Sequence, residues 1–86
     1  MNVLWTDQAR EDYEYWRQTD QQAVERINSL IESIKATPFT GIGKPEPLKY
    51  DFAGWWSRRI TSEHRLVYRV IGKPSRLEIA QCRYHY

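Results

Sequence analysis

Cysteine occurs once in these 86 residues, at Cys82, so no internal disulfide can staple the fold and a disulfide-built secreted scaffold is excluded. A lone thiol fits a reducing compartment, and no metal cluster can be built around it. Long apolar runs are also missing: none approaches the roughly 18 residues of a membrane span. Residues 1–7 lack the basic and extended apolar regions of a signal peptide. The expectation is a cytoplasmic protein that engages no membrane. Length is scarce as well, and 86 residues predict a single domain, 1–86, burying roughly 60 to 70% of its unfolded surface. No internal repeat or low-complexity segment interrupts the chain.

What the chain does hold is aromatic: four Trp and six Tyr supply large buried areas to a core that must be small. It ends on Arg83-Tyr84-His85-Tyr86. Chain ends ordinarily fray and stay polar, whereas this one carries an imidazole, a group suited to proton transfer near neutrality, between two phenols. That terminus reads as part of a site.

The net charge of +2 conceals an uneven distribution. Residues 1–37 hold seven acidic side chains against four basic ones, and residues 38–86 hold nine basic against four acidic. A polyanion would therefore bind the C-terminal half.

Residues 3–5 form a short apolar run that predicts a strand, stopped at Thr6-Asp7, either of which can cap a following helix. Ala9, Tyr13 and Trp16 recur at helical spacing. Thr19-x-x-Gln22 predicts a capping box for a second helix. Its stripe is Ala23, Val24, Ile27, Leu30, Ile31 and Ile34, and it should stop near Thr37-Pro38 because proline disfavours helix in the preceding residue. From Trp55 the pattern changes to alternation. Trp56, Arg58 and Ile60 alternate with Ser57, Arg59 and Thr61, and Leu66, Tyr68 and Val70 with Arg65, Val67 and Arg69. The turn at residues 72–75 then leads into a third strand over 77–84. The predicted class is α+β: an N-terminal strand and a two-helix hairpin packed on a mainly antiparallel sheet, with a possible extra short strand near 47–51.

Between helices and strands, residues 39–49 carry two glycines and two prolines, which exclude helix and allow only edge pairing. Pro45 and Pro47 bracket Glu46, fixing the backbone around a carboxylate whose side chain is free to project, with Lys44 and Lys49 flanking it. A small sheet could gather Glu46, Arg59, Arg65, His85 and Tyr86. Such a set suits phosphodiester cleavage: a base takes the ribose 2′-hydroxyl proton, the oxygen attacks phosphorus, and an acid protonates the departing 5′-oxygen. Glu and His fill those two roles, guanidinium forks stabilise the charge that builds on phosphorus, and no metal or other cofactor is required. The 2′-hydroxyl makes the substrate RNA.

Five stretches, in order and over essentially the whole chain, carry a resemblance: Leu-Trp-Thr; Tyr-Glu-Tyr-Trp with Gln-Thr-Asp; Gly-Ile-Gly-Lys-Pro-Glu-Pro-Leu-Lys; Trp-Ser-Arg-Arg-Ile-Thr-x-Glu-His-Arg-Leu-Val-Tyr; and Cys-Arg-Tyr-His-Tyr. Together they resemble the YoeB toxins of the RelE/ParE superfamily. The resemblance implies a RelE-like fold and a type II toxin that enters the ribosomal A site, cuts the mRNA there and stops translation. Residue by residue, it implies Glu46 as general base, His85 as general acid, Arg65 as the transition-state arginine and Tyr86 as an orienting group. Lys44, Lys49 and Arg59 then contact mRNA phosphates or nearby ribosomal RNA. It also implies homodimers and a cognate YefM-like antitoxin. The turn at residues 72–76 departs from the pattern and touches no matched motif.

The remaining residues carry plainer expectations. His64 reads as a polar turn residue, Cys82 as packed and unreactive, and Trp5, Trp16, Trp55 and Trp56 as core or dimer contacts. Arg58 and Arg83 either serve ribosomal RNA or solvate strand faces, and Tyr84 stays open between site and sheet. Two rival functions stand beside nuclease: a ParE-like inhibitor of DNA gyrase, and an RNA-binding module without catalysis.

Overall fold

Thr6 begins the helical part and ties it to the sheet. In the computed structural model, which describes residues 1–84, strand β1 spans Asn2–Trp5 and helix α1 Asp7–Thr19. The Thr6 hydroxyl accepts from the Ala9 N–H (3.1 Å) and donates to the Ala80 carbonyl (2.7 Å), so one side chain caps α1 and holds it against a strand. Helix α2 spans Gln21–Ala36. Its cap is Asp20 and not the Thr19 box: the Asp20 carboxylate accepts from the Gln22 and Ala23 N–H groups, while the Asp20 N–H closes α1 onto the Trp16 carbonyl (2.8 Å). A single extended residue thus ends one helix and starts the next, with its negative charge at the favourable end of the α2 dipole. Thr19 stays in the last turn of α1, its hydroxyl donating to the Tyr15 carbonyl.

The sheet contains β2 (Glu46–Pro47), β3 (Trp56–Arg59), β4 (Arg65–Ile71) and β5 (Arg76–Gln81), in the order β1-β5-β4-β3-β2. Among the described residues only β1 and β5 pair in parallel; the other neighbours are antiparallel, as expected of an α+β sheet. The short extra strand lies at 46–47 and not over 47–51, because Tyr50–Phe52 turns into a 3₁₀ helix. Its Pro47 is tolerated because β2 is an edge. Strand β5 stops at Gln81, short of the expected Tyr84: the N–H groups of Cys82 and Tyr84 are taken by side chains, Asp12 and His64, in place of a strand neighbour.

The α2 stripe (Ala23, Val24, Ile27, Leu30, Ile31 and Ile34) packs in one core with Ala9 and Trp16 of α1 and with Leu66, Tyr68, Leu77 and Ile79 of the sheet. Strand periodicity then sends Ser57, Arg59, Arg65 and Val67 to the face away from the helices. A register shift between Val67 and Tyr68, pairing Val67 with Gln81 and Tyr68 with Ile79, is a bulge beside the end of β5. Among the described residues, no helix is long and apolar enough to cross a membrane.

Candidate active site

The segment that carries Glu46 is fixed from beneath by Arg58. Alternation turns this arginine toward the helices, where it is fully buried; it solvates no strand face and presents no donor at the surface. Its Nε donates to the Tyr68 hydroxyl (3.1 Å), Nη1 to the Ser33 hydroxyl (2.7 Å) and Ile42 carbonyl (3.1 Å), and Nη2 to the Thr37 (2.8 Å) and Thr40 (2.7 Å) carbonyls. Tyr68 passes the network on, donating to the Pro38 carbonyl (2.7 Å). Burial raises the Tyr68 phenol above its ordinary pKa, with the Arg58 hydrogen bond and charge opposing. The loop can approach this closely only through glycine. At Gly43 (φ +84°) an added Cβ would meet the Leu30 side chain at 2.7 Å and Arg58 at 3.1 Å, and at Gly41 (φ +115°) Ser33 at 2.6 Å. The Gly43 carbonyl accepts from the Arg59 N–H (2.7 Å), which brings Lys44 beside β3.

Register does the rest. Glu46 pairs with Ser57, and Arg59 pairs with Arg65. Ser57 and Arg59 share a face, so the Glu46 carboxylate and the Arg59 guanidinium leave the sheet from diagonal positions about 7–8 Å apart. Like charges directly opposite each other destabilise an antiparallel pair, yet two arginines face each other here. Among the described residues the ion pairs are Arg17–Glu14, Lys35–Glu32 and Arg69–Glu78; none draws on Lys44, Glu46, Lys49, Arg59 or Arg65. Cations without an ion-pair partner among the described residues, set beside one carboxylate, have the chemistry to receive an anion next to a proton acceptor. Lys49 sits farther out, lining with Glu46 and Tyr50 an open cleft of about 490 Å³.

Arg65 is oriented by its own hairpin: Nη1 donates to the carbonyls of Thr61 (2.8 Å), Ser62 (3.2 Å) and His64 (3.1 Å). Its backbone N–H donates to the Tyr84 carbonyl (3.0 Å), so the segment after β5 runs beside the arginine pair. The expected acid and orienting group, His85 and Tyr86, follow Tyr84 in sequence and lie outside the described residues.

Three residues of this region escaped the sequence reading. His64 is more than a polar turn residue: its Nδ1 accepts the Tyr84 N–H (2.7 Å), and its ring meets Trp16 edge-on at 4.8 Å. Arg83 neither solvates a strand nor projects freely, but lies over the Tyr15 ring at 3.5 Å and donates to the Tyr84 hydroxyl (2.8 Å). Asp12 is buried, its carboxylate accepting from Gln8 Nε2 (2.8 Å) and the Cys82 N–H (3.0 Å). The available signal was spacing: Asp12 stands three residues after Ala9 and four before Trp16, inside the apolar stripe. Cys82 is buried as expected, and its thiol is pushed up to about 12, first by burial and then by the Asp12 charge.

Residues 5–86 match the family described as YoeB-like toxin of bacterial type II toxin-antitoxin system. Toxin YoeB of Escherichia coli K12 is 54% identical over 86 residues, covering 100% of both chains. The solved YoeB/ParE toxin from Agrobacterium tumefaciens superposes with TM-score 0.98 at 60% identity, again over 100% of both chains. YoeB from Staphylococcus aureus, covering 100% of this chain and 98% of its own at 47% identity, superposes with TM-score 0.92 as a dimer and 0.90 in a heterotetrameric YoeB-YefM toxin-antitoxin complex. With a family match over residues 5–86 and relatives above half identical laid over the fold that aligns Glu46 with the Arg59–Arg65 pair, the chain belongs to the YoeB-like toxins of bacterial type II toxin-antitoxin systems.

Proposed function

We propose that the protein is a ribosome-dependent endoribonuclease that cleaves mRNA in the A site and so stops translation. The observation that carries this reading is the register: an exposed carboxylate on the edge strand and two arginines directly opposite each other on the next two, without an ion-pair partner among the described residues, all on the face the helices leave open. Glu46 takes the proton from the 2′-hydroxyl as its oxygen attacks phosphorus. The charge that accumulates on the non-bridging oxygens is met by Arg65, pre-aimed by three carbonyls, and by Arg59. His85 gives its proton to the departing 5′-oxygen, and Tyr86 orients the substrate. The products are a 2′,3′-cyclic phosphate and a 5′-hydroxyl, and the chemistry runs without a metal. Lys44 and Lys49 extend the cationic rim along the RNA backbone, where each contact also strengthens salt-sensitive binding to the ribosome.

The known assemblies of the Staphylococcus aureus relative support a homodimer restrained by a YefM-like antitoxin. The whole chain, 1–86, then acts as one toxin domain in the cytoplasm, where ribosomes are. Ribosomes programmed with a defined mRNA test the reading. The expected result is a cut in the A-site codon leaving a 5′-hydroxyl; intact mRNA, or a 5′-phosphate on the downstream fragment, rejects it. Inhibition of gyrase supercoiling without mRNA cleavage would favour the ParE-like alternative. Unchanged action of Glu46→Gln and His85→Gln would favour a binding module.

A further inference from the structure

Residues 82–84 have left the sheet, yet their backbone is anchored at both ends. The Cys82 N–H donates to Asp12 and its carbonyl accepts from Trp16 Nε1 (2.8 Å); the Tyr84 carbonyl accepts from the Arg65 N–H (3.0 Å) and the Tyr84 N–H donates to His64 Nδ1 (2.7 Å). At the Tyr84 anchor, only the last bond ends on a side-chain atom that changes role with protonation. An imidazole nitrogen accepts a hydrogen bond only while it carries no proton, so this bond selects the neutral ring with its proton on Nε2. In the imidazolium, Nδ1–H would point at another N–H.

The ring has little freedom to avoid that clash. It stands edge-on to Trp16 of α1 (4.8 Å, 83°) and tilted against the Tyr84 ring (5.4 Å). Its own carbonyl is held by the N–H groups of Ile60 (2.9 Å) and Thr61 (3.3 Å) and by Arg65 Nη1. Among the described residues, the charged and titratable groups beside it are Glu63 and Arg65 on its turn, and Tyr84 on the tail with Arg83 lying 4.6 Å over the Tyr84 ring. From α1 it meets the uncharged Trp16. Among the described residues no carboxylate contacts the ring to compensate an imidazolium. Tyr84 itself sits at φ +62°, a left-handed conformation that a tyrosine holds only when its surroundings impose it.

We propose that His64 is the positioning residue of the C-terminal catalytic groups: its unprotonated Nδ1 holds Tyr84 beside Arg65 and so sets the point from which His85 and Tyr86 are delivered. The inference rests on the nuclease reading above. A displacement of about 1 Å in a catalytic group can cost about 100-fold in rate, which sets the scale of the effect.

Three proteins test it: wild type, His64→Asn and His64→Phe, compared as a function of pH in single-turnover cleavage on programmed ribosomes. Asparagine offers an acceptor oxygen near the place of Nδ1 and cannot titrate; phenylalanine keeps a ring against Trp16 but offers no acceptor. His64→Phe is expected to lose about 10- to 100-fold in maximal rate with half-saturation within about twofold. His64→Asn is expected to recover most of that loss and to lack the acidic limb that imidazole protonation gives wild type. His64→Phe cleaving at the wild-type rate overturns the proposal, as does His64→Asn being equally slow with an unchanged pH profile. Hydrogen exchange at the Tyr84 amide in the free toxin gives a readout independent of catalysis. Protection should fall on acidification in wild type and not in His64→Asn; protection indifferent to pH in wild type also overturns the proposal. An inactive wild type would retire the nuclease reading while the exchange measurement still decided the latch.

Discussion

Replacing Arg58 by methionine should destabilise the protein far more than any change at the arginine beside it. The side chain is 0% exposed, and each of its five N–H donors has an acceptor within 3.1 Å. Among the described residues none of these acceptors is a carboxylate. The positive charge is stabilised by three carbonyls and two hydroxyls, with Thr37 marking the negative end of the α2 dipole. Methionine matches the reach of the aliphatic stem and supplies no donor. The Ile42 carbonyl then loses its side-chain partner, and Thr37 keeps only the 3.4 Å bond from the Thr40 N–H. Each stranded buried acceptor costs about 1–3 kcal/mol. A buried ion network replaced whole by apolar residues can come out neutral, but removing one member leaves its partners behind and costs about 3–5 kcal/mol. The second figure applies here, because the acceptors belong to the backbone and cannot be mutated away. Against a total stability of about 5–15 kcal/mol for a domain, the thermal midpoint should fall by more than about 12 °C.

Urea unfolding followed by tryptophan fluorescence measures the loss, and Arg58→Lys separates charge from geometry. Lysine keeps the cation but brings three donors from one nitrogen in place of a planar fork of five; it should land between wild type and methionine. Arg58→Met within about 0.5 kcal/mol of wild type, the range of ordinary surface substitutions, would refute the reasoning, and so would Arg58→Lys matching wild type. Either result would mean that residues 37–43 are held by something other than this guanidinium.

Glu46→Gln should leave the unfolding curve unchanged, since the side chain is exposed, and slow A-site cleavage by about 10²–10⁴-fold, measured in single-turnover assays. Arg65→Lys should lower the same rate by about 10²–10³-fold, because lysine cannot hold two donors on the phosphorane while bonding the hairpin carbonyls. Arg59→Ala and Lys44→Ala should each flatten the plot of log affinity against log salt for single-stranded RNA by about 0.7, read by fluorescence anisotropy. Cys82 is raised from 9.0 to about 12 in the fold, so its contribution is fully present below pH 9 and is lost as pH rises from there to about 12. Alkaline unfolding of Cys82→Ala should accordingly show a shallower decline over that window than wild type, and native Cys82 should stay unmodified by iodoacetamide at neutral pH.

Periodicity carried most of the fold: every apolar position named for the second helix is buried, because a stripe at helical spacing has few other ways to leave water. Local hydrogen bonding was harder to read. Thr19 and Asp20 are both good caps, and only the geometry of a one-residue break selects Asp20. The strand expected to run to Tyr84 stopped at Gln81 because Asp12 and His64, 70 and 20 residues away from the groups they bond, outcompete a strand neighbour.

The site shows why its charged residues were only half legible. Arg58 and Arg59 are adjacent and chemically identical, and so ambiguous in a string of letters, yet a strand turns neighbours to opposite faces. One was drawn into the core to organise the loop that presents Glu46, and the other was left facing Arg65 with no counter-ion among the described residues. His64 and Arg65, at the entry to β4, also divide, one turned under the tail and one set opposite Arg59. The pattern Trp-Ser-Arg-Arg and Glu-His-Arg therefore encodes two layers: a supporting layer of Arg58 and His64, and a facing layer of Arg59 and Arg65 to which the proposed reaction falls. Composition counts all four as positive or titratable charge available to RNA. Register halves that number, and the residues it removes are the ones whose loss should misplace Glu46 and Tyr84 without touching the substrate.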